Sequence, residues 1–355
     1  MPDQRRLDRR TLLAGVIAVA WAPSARAEEV VTGQSRQVII PADDGVRLAG
    51  TLYLPSGAGP FPALIFAHGS EALPRAREFE VVGAQRFLDA GVAILVTDKR
   101  GVGDTPGVYV ESSDLYAAAQ DVIAQARFLK SLPEICRVGV FGVSRGGWVA
   151  PIAASRSADI DFLVILSGPA VTPNETNIFA RAEEARDQGV AETEVQEVVR
   201  YRRILWRYYG TGEGYEAAMA AWRVAKDRPW YAGLMESGEP LPPARLGHPA
   251  LSYFRVGVYD PAPTLASLRI PVLMIYGEKD RLIPARQSAA VARRALSRNR
   301  RARVVTIPGA GHGMRLVLDR EALRGQPPGP LTWAPAYWPT LVHWLDGAAG
   351  CRTPR

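Results

Sequence analysis

Hydrophobic positions along this chain fall into two alternating kinds of segment. Short apolar runs bounded by glycine and proline occupy residues 63–67, 93–97, 138–143, 162–166 and 272–275, and 302–307 supplies a last strand. Longer segments with helical spacing stand between or after them, at 79–90, 114–132, 148–155 and 337–345. A strand that is apolar at every position has to be covered on both faces, so such runs separated by helices predict a parallel sheet between helical layers. Ahead of them, residues 38–40 and 46–54 flank Asp43-Asp44-Gly45 and predict a β-hairpin. The expected fold class is α/β.

The alternation stops between the run at 162 and the run at 272. Residues 171–263 have helical charge patterning over 178–209, followed by a loop-like stretch dense in aromatic residues and proline. This predicts an inserted, mainly helical cap, with residues 28–170 and 264–355 forming the sheet domain. Trp206, Tyr208, Tyr209, Tyr215, Trp222, Trp230, Tyr231, Tyr253, Phe254 and Tyr259 all fall in the insertion. A small helical layer needs bulky side chains for its own core, so roughly two thirds of these are expected inside it and the rest facing a cleft.

Charge and composition narrow the partners. Of 355 residues, 47% are hydrophobic and 22% charged, which excludes a disordered, collagen-like or polytopic membrane chain. The net charge of +7 suggests nucleic acid, but five arginines against two aspartates in residues 1–27 leave only about +4 for the remainder, with no basic run. No nucleic-acid partner is expected. Arg9-Arg10 precede an apolar run at 12–22, and Ala25-Arg26-Ala27 puts small residues where a signal peptidase reads. The run is too short to span a bilayer. Residues 1–27 therefore predict a signal peptide of twin-arginine type, cleaved near Ala27, with a periplasmic or secreted product and no stable membrane anchor. The two cysteines, Cys136 before a strand and Cys351 after the last helix, are compatible with one disulfide at the bottom of the sheet or with two inert thiols.

Gly142-Val143-Ser144-Arg145-Gly146-Gly147 lies between an apolar run and a helical segment. That strand, turn and helix context is what a nucleophile elbow requires, with small residues admitting a turn too tight for side chains. A serine hydroxyl needs a base, and the base needs an orienting acid. Of four histidines, His312 in Gly309-Ala310-Gly311-His312-Gly313 follows the run at 302–307 and is the candidate base. His68 is assigned to shaping a loop, and His248 and His343 to structural or exposed positions. Asp280 in Gly277-Glu278-Lys279-Asp280 is the candidate acid, favoured over Glu278 because a turn begun at Gly277 carries the later residue back over the sheet edge. A developing oxyanion needs fixed donors. The backbone N–H of Arg145 and that of Ser70, in His68-Gly69-Ser70-Glu71, are assigned to this. Asp98-Lys99-Arg100-Gly101 is read as a turn pinned by Asp–Arg hydrogen bonds rather than as a substrate contact. No His-x-His, Cys-x-x-Cys or carboxylate cluster has metal-ligand spacing, and Gly101-Val102-Gly103 lacks the third glycine of a dinucleotide loop. Neither a metal nor a cofactor is expected.

Together with the segment 98–103, these motifs resemble the α/β-hydrolase superfamily, and are most similar to bacterial serine carboxylesterases related to the prolyl-oligopeptidase and acyl-CoA thioesterase-like branches. The resemblance runs from about residue 36 to about 348 and is weakest over the insertion. It implies an eight-stranded, mostly parallel sheet, a Ser144–Asp280–His312 triad and an acyl-enzyme intermediate on a small-molecule ester. Glu71 departs from the pattern, standing where some relatives carry another glycine. The same machinery would serve a serine peptidase or a thioesterase, and a non-catalytic binding protein is the alternative from another class.

Overall fold

The computed structural model describes residues 33–81, 83–109, 114–234, 242, 256–317 and 332–351. The expected signal peptide, His248, Tyr253 and Phe254 lie outside these residues. Two compact units emerge, one of Arg26–Thr172 with Asp260–Arg355, the other holding Pro173–Tyr259.

The first unit contains the sheet. Strands β1 (Gln34–Pro41) and β2 (Arg47–Leu54) form the hairpin, and β2 also pairs antiparallel with β4 (Ala93–Thr97). From there β3 (Phe61–Ala67), β5 (Ile135–Val143), β6 (Phe162–Leu166), β7 (Val272–Gly277) and β8 (Ala302–Ile307) continue in parallel. The spatial order is β1-β2-β4-β3-β5-β6-β7-β8. Every residue of β4, β6 and β7 is buried, as unbroken apolar runs demand. Alternate residues, among them Leu64, Phe66, Ile94, Val96, Val164 and Ile275, share one core with Phe87, Trp338, Leu341 and Leu345. The residues between them, such as Ile65, Leu95, Ile165 and Met274, are buried as well, so the opposite face is also covered.

The helices of this unit are α1 (Arg75–Val81), α2 (Gln85–Asp89), α3 (Leu115–Lys130) and α4 (Gly146–Arg156), continuing after the second unit. The single helix expected over 79–90 is instead two, interrupted at Gly83, whose φ of 66° no right-handed helix contains. Asp114 caps α3 by accepting the amides of Tyr116 and Ala117. Cys136, in β5, and Cys351 are joined by a disulfide, with Cα atoms 5.7 Å apart, within the usual range for a bridge.

The second unit is helical: α5 (Pro173–Asp187), α6 (Glu192–Thr211), α7 (Tyr215–Ala225) and α8 (Pro229–Leu234). The periodic stretch expected over 178–209 is thus divided, with Gly189 at φ 78° between its halves. Of the stretch after it, Tyr215–Ala225 and Pro229–Leu234 are helical where the sequence suggested loop. Its aromatics carry that change, since Tyr208, Tyr209 and Trp230 form a core with Val195, Val198 and Leu205, and Tyr215, Trp222 and Tyr231 pack half-buried against it. The ring pairs Tyr208–Tyr215 and Tyr201–Trp230 stand 5.6 and 5.9 Å apart. The first unit resumes with α9 (Ala262–Ser267), α10 (Ala285–Ala295) and α11 (Tyr337–Ala349).

Candidate active site

All parallel strands end at one edge of the sheet, and the chemistry-bearing residues follow directly on those ends. Beyond β5 the chain turns at Ser144, a non-glycine residue at φ 52°. Holding an L-residue there costs about 1–3 kcal/mol and persists only where the surroundings dictate it. Two of those surroundings are visible. The Ser144 amide donates to the Leu166 carbonyl at 2.9 Å, tying the turn to the end of β6. Gly146 passes so close to β3 that a Cβ there would lie 2.0 Å from the Ala67 carbonyl oxygen. Helix α4 starts immediately after Arg145, so the amide end of a helix faces the turn.

Asp280 and His312 come from the neighbouring loops after β7 and β8. A Cβ on Gly277 would lie 2.4 Å from the Gly311 carbonyl oxygen, and the amides of Glu278 and Lys279 donate to Ile307 and Ala310 at 3.0 and 2.8 Å. Backbone therefore packs on backbone. Asp280 is buried, and its Oδ1 accepts the amides of Leu282 and Ile283 at 2.9 and 3.1 Å. That leaves Oδ2, which stands 2.9 Å from His312 Nδ1. With a carboxylate at Nδ1 the imidazole keeps its proton there and leaves Nε2 as acceptor. Burial alone would depress the His312 pKa, but the charge and hydrogen bond of Asp280, helped by Glu71, outweigh it and hold the imidazole above its usual value. Glu278, the competing carboxylate, instead accepts the Gly309 amide at 2.9 Å.

Ser167 links the two sides. Its amide donates to Ile275 at 2.8 Å and its hydroxyl to the His312 carbonyl at 2.6 Å, while the preceding residue, Leu166, holds the Ser144 amide. The His312 loop is thereby fastened next to the Ser144 turn. The 68–71 loop reaches the same edge, since a Cβ on Gly69 would be 3.7 Å from that of Ser144. Glu71 acts electrostatically on His312, and its own pKa is raised by burial and by Glu78. A small cavity of about 150 Å³ opens here, lined by Ser70, Lys99, Tyr109, Arg145 and Val149 among others.

His68 does shape its loop, with Nδ1 3.2 Å from Glu78 and its ring set edge-on against Phe66. His343 is exposed. In the turn after β4, Asp98 pairs with Arg75 and accepts the Asp104 amide, and Arg100 pairs with Asp44 and Asp121. Pattern reading missed Ser167, Glu71 as a neighbour of His312, and the roles of Lys99 and Tyr109. Of these, Lys99 alone carried a signal, by standing in a charged motif at a strand end. Among the described residues no helix is long and apolar enough to cross a membrane, and no cluster of three metal-ligating side chains occurs.

Comparison with known proteins places the chain in a family. Residues 64–326 match the model of the alpha/beta hydrolase family. Esterase EstD of Thermotoga maritima is 26% identical over 247 residues, covering 66% of this chain and 50% of that protein. The chain thus matches about half the length of that relative. Thiohydrolase aneE of Aspergillus aculeatus is 34% identical over 116 residues, covering 31% of this chain and 34% of its own. In fold, the Pyrococcus furiosus esterase Pf2001 superposes with a TM-score of 0.57 at 18% identity, over 90% of this chain and 92% of that one. On these grounds the chain belongs to the α/β-hydrolase family.

Proposed function

We propose that this protein is an exported serine hydrolase of carboxylic esters. The observation that carries the reading is the 2.9 Å contact between His312 Nδ1 and Asp280 Oδ2, at the sheet edge where Ser144 is held in a left-handed turn. Ser144 Oγ attacks the ester carbonyl carbon while His312 Nε2 takes its proton, and the charge on the carbonyl oxygen meets the amides of Ser70 and Arg145. His312 returns the proton to the departing alcohol. Water, deprotonated by the same nitrogen, then attacks the acyl-enzyme and releases the acid. Asp280 holds the imidazole in register and favours its protonated form without itself taking the proton.

The similarity to EstD supports ester over amide substrates. We assign the helical unit the part of a cap inserted in the chain of the sheet domain. Export rests on the twin-arginine pattern of residues 1–27 and is in keeping with a disulfide, which oxidising compartments preserve.

A fluorophosphonate probe tests the reading. The folded protein is expected to label at Ser144, and Ser144→Ala to lose both labelling and ester cleavage, by about 10⁴-fold or more in kcat. An unlabelled wild type, or equal labelling of the variant, returns the chain to the non-catalytic alternative. Short p-nitrophenyl esters are expected to be cleaved well and aminoacyl amides poorly. The thiohydrolase similarity favours one second reading, a thioesterase, for which thioesters would outrun matched oxygen esters in the same panel.

A further inference from the structure

The turn after β4 has an architecture that its own ion pairs do not explain. Lys99 extends from it and donates through Nζ to the carbonyl oxygen of Gly69 at 2.9 Å and to that of Glu71. Tyr109, from the end of the same loop, donates through its hydroxyl to the carbonyl between them, Ser70. Three successive carbonyls of the 68–71 loop are therefore gripped by two side chains of one neighbouring loop. Tyr109 gets there because Gly101, at φ 73°, lets the loop fold back on itself; a Cβ at that position would sit 2.1 Å from the Tyr109 amide nitrogen. The Lys99 ammonium is largely buried, 3.9 Å from the buried Glu78 carboxylate and 5.7 Å from the Tyr109 ring.

We propose that Lys99, assisted by Tyr109, is the positioning residue of the oxyanion hole, acting through the Gly69–Ser70 peptide bond. The inference rests on the reading of the Ser70 amide as an oxyanion donor. In a planar trans peptide the carbonyl and the following N–H point in opposite directions. Fixing the Gly69 oxygen on Lys99 therefore fixes the Ser70 N–H pointing the opposite way within the peptide plane. Glycine at 69 leaves this peptide free to rotate unless something holds it. An ammonium on the carbonyl oxygen also polarises the amide, making its N–H a stronger donor to an incoming negative charge. The neighbouring Ser70 and Glu71 carbonyls are retained by the same loop, which keeps acceptor oxygens from rotating toward the oxyanion. The donor is thus set before substrate arrives, the condition under which such groups lower a barrier most.

Kinetics with a transition-state mimic test this. Lys99→Met and Tyr109→Phe are compared with wild type for kcat, KM and inhibition by an aliphatic trifluoromethyl ketone, whose hemiketal oxygen occupies the oxyanion position. Lys99→Met is expected to lower kcat about 10²-fold, the scale of losing one oxyanion donor, with KM changed less than about threefold. Ketone affinity should fall in parallel with kcat/KM, Lys99→Arg should recover much of both, and Tyr109→Phe should lose about tenfold. Should Lys99→Met fail to fold, Lys99→Gln, which keeps a donor without the charge, is expected to give an intermediate loss. Variants with kcat within threefold of wild type, or with a loss confined to KM while ketone affinity is unchanged, overturn the inference and leave the triad standing. A wild type that binds no ketone and labels with no fluorophosphonate removes the serine-hydrolase reading, and this inference with it.

Discussion

Where β7 and β8 end, on one flank of Ser144, backbone lies against backbone: Gly277 touches the carbonyls of Ala310 and Gly311, and amides of one loop donate to the other. Where β3 and β4 end, on the other flank, the loops are joined by long side chains, Lys99 and Tyr109, reaching across to carbonyl oxygens. The first arrangement is rigid because it is steric, backbone packed on backbone. The second depends on two side chains staying in one rotamer each, and a charged stem of four carbons has more freedom to lose. On the proposed function, the flank assigned the proton transfer is built without that freedom, and the flank assigned the amide donor is held from outside.

The largest expected effect falls on the rigid flank. Asp280→Asn keeps the size of the side chain but exchanges a carboxylate for an amide, which no longer enforces the proton on Nδ1. A loss of about 10⁴-fold in kcat is expected, with the protein still folded, as read by steady-state kinetics beside circular dichroism. That exceeds the loss expected from Lys99→Met by about a hundredfold. Equal losses in the two variants would mean that the flanks do not differ in the way described.

The two flanks also differed in how far they could be read from the chain. Ser144, Asp280 and His312 each stand a few residues past a strand-forming run, in a segment that contains glycine, so strand register carries them to one edge. Lys99 shared that position, yet its charge pattern pointed only to a pinned turn. Tyr109 gave no signal, because its reach depends on the loop folding back at Gly101, a contact that local spacing does not encode. Ser167 was equally silent, being one hydroxyl after a buried strand. In the helical unit the aromatic content of 212–234 imitated loop, whereas Tyr215, Trp222 and Trp230 are helix residues packed in or against a small core.

A middle-sized effect comes from one methyl group placed on each flank. Gly277→Ala puts a Cβ within 2.4 Å of a backbone oxygen, so one loop has to move. Displacement of about 1 Å at His312 is worth roughly 10²-fold in kcat. Gly69→Ala meets the Ser144 Cβ at 3.7 Å and the Val143 carbonyl oxygen at 3.9 Å, both ordinary contacts, and it has no left-handed φ to strain. It is expected to stay within about fivefold of wild type, under about 1 kcal/mol of barrier. If Gly69→Ala proves the more damaging of the pair, the 68–71 loop is the tightly packed one and the contrast is reversed.

The smallest effect couples the flanks. Glu71 belongs to the 68–71 loop, yet its charge helps to hold the His312 pKa up. The base works only when neutral, so kcat/KM should fall as pH drops through that raised pKa, with the acid limb above the ordinary imidazole value of about 6.5. Glu71→Gln removes a negative charge that favours the imidazolium, so the His312 pKa falls and the limb moves to lower pH. Asp280 is untouched, so the tautomer is kept and the plateau should change less than about threefold, under about 0.7 kcal/mol. The carboxyl of Glu71 is itself raised by burial and by Glu78, and below its own pKa it is neutral and lends no support. The difference between wild type and Glu71→Gln should therefore be greatest near neutral pH and shrink as the medium becomes acidic, in full pH profiles of kcat/KM. A limb that stays in place, or moves to higher pH, would mean that the acid–base flank is insulated from the oxyanion loop and that Asp280 alone holds the imidazole up.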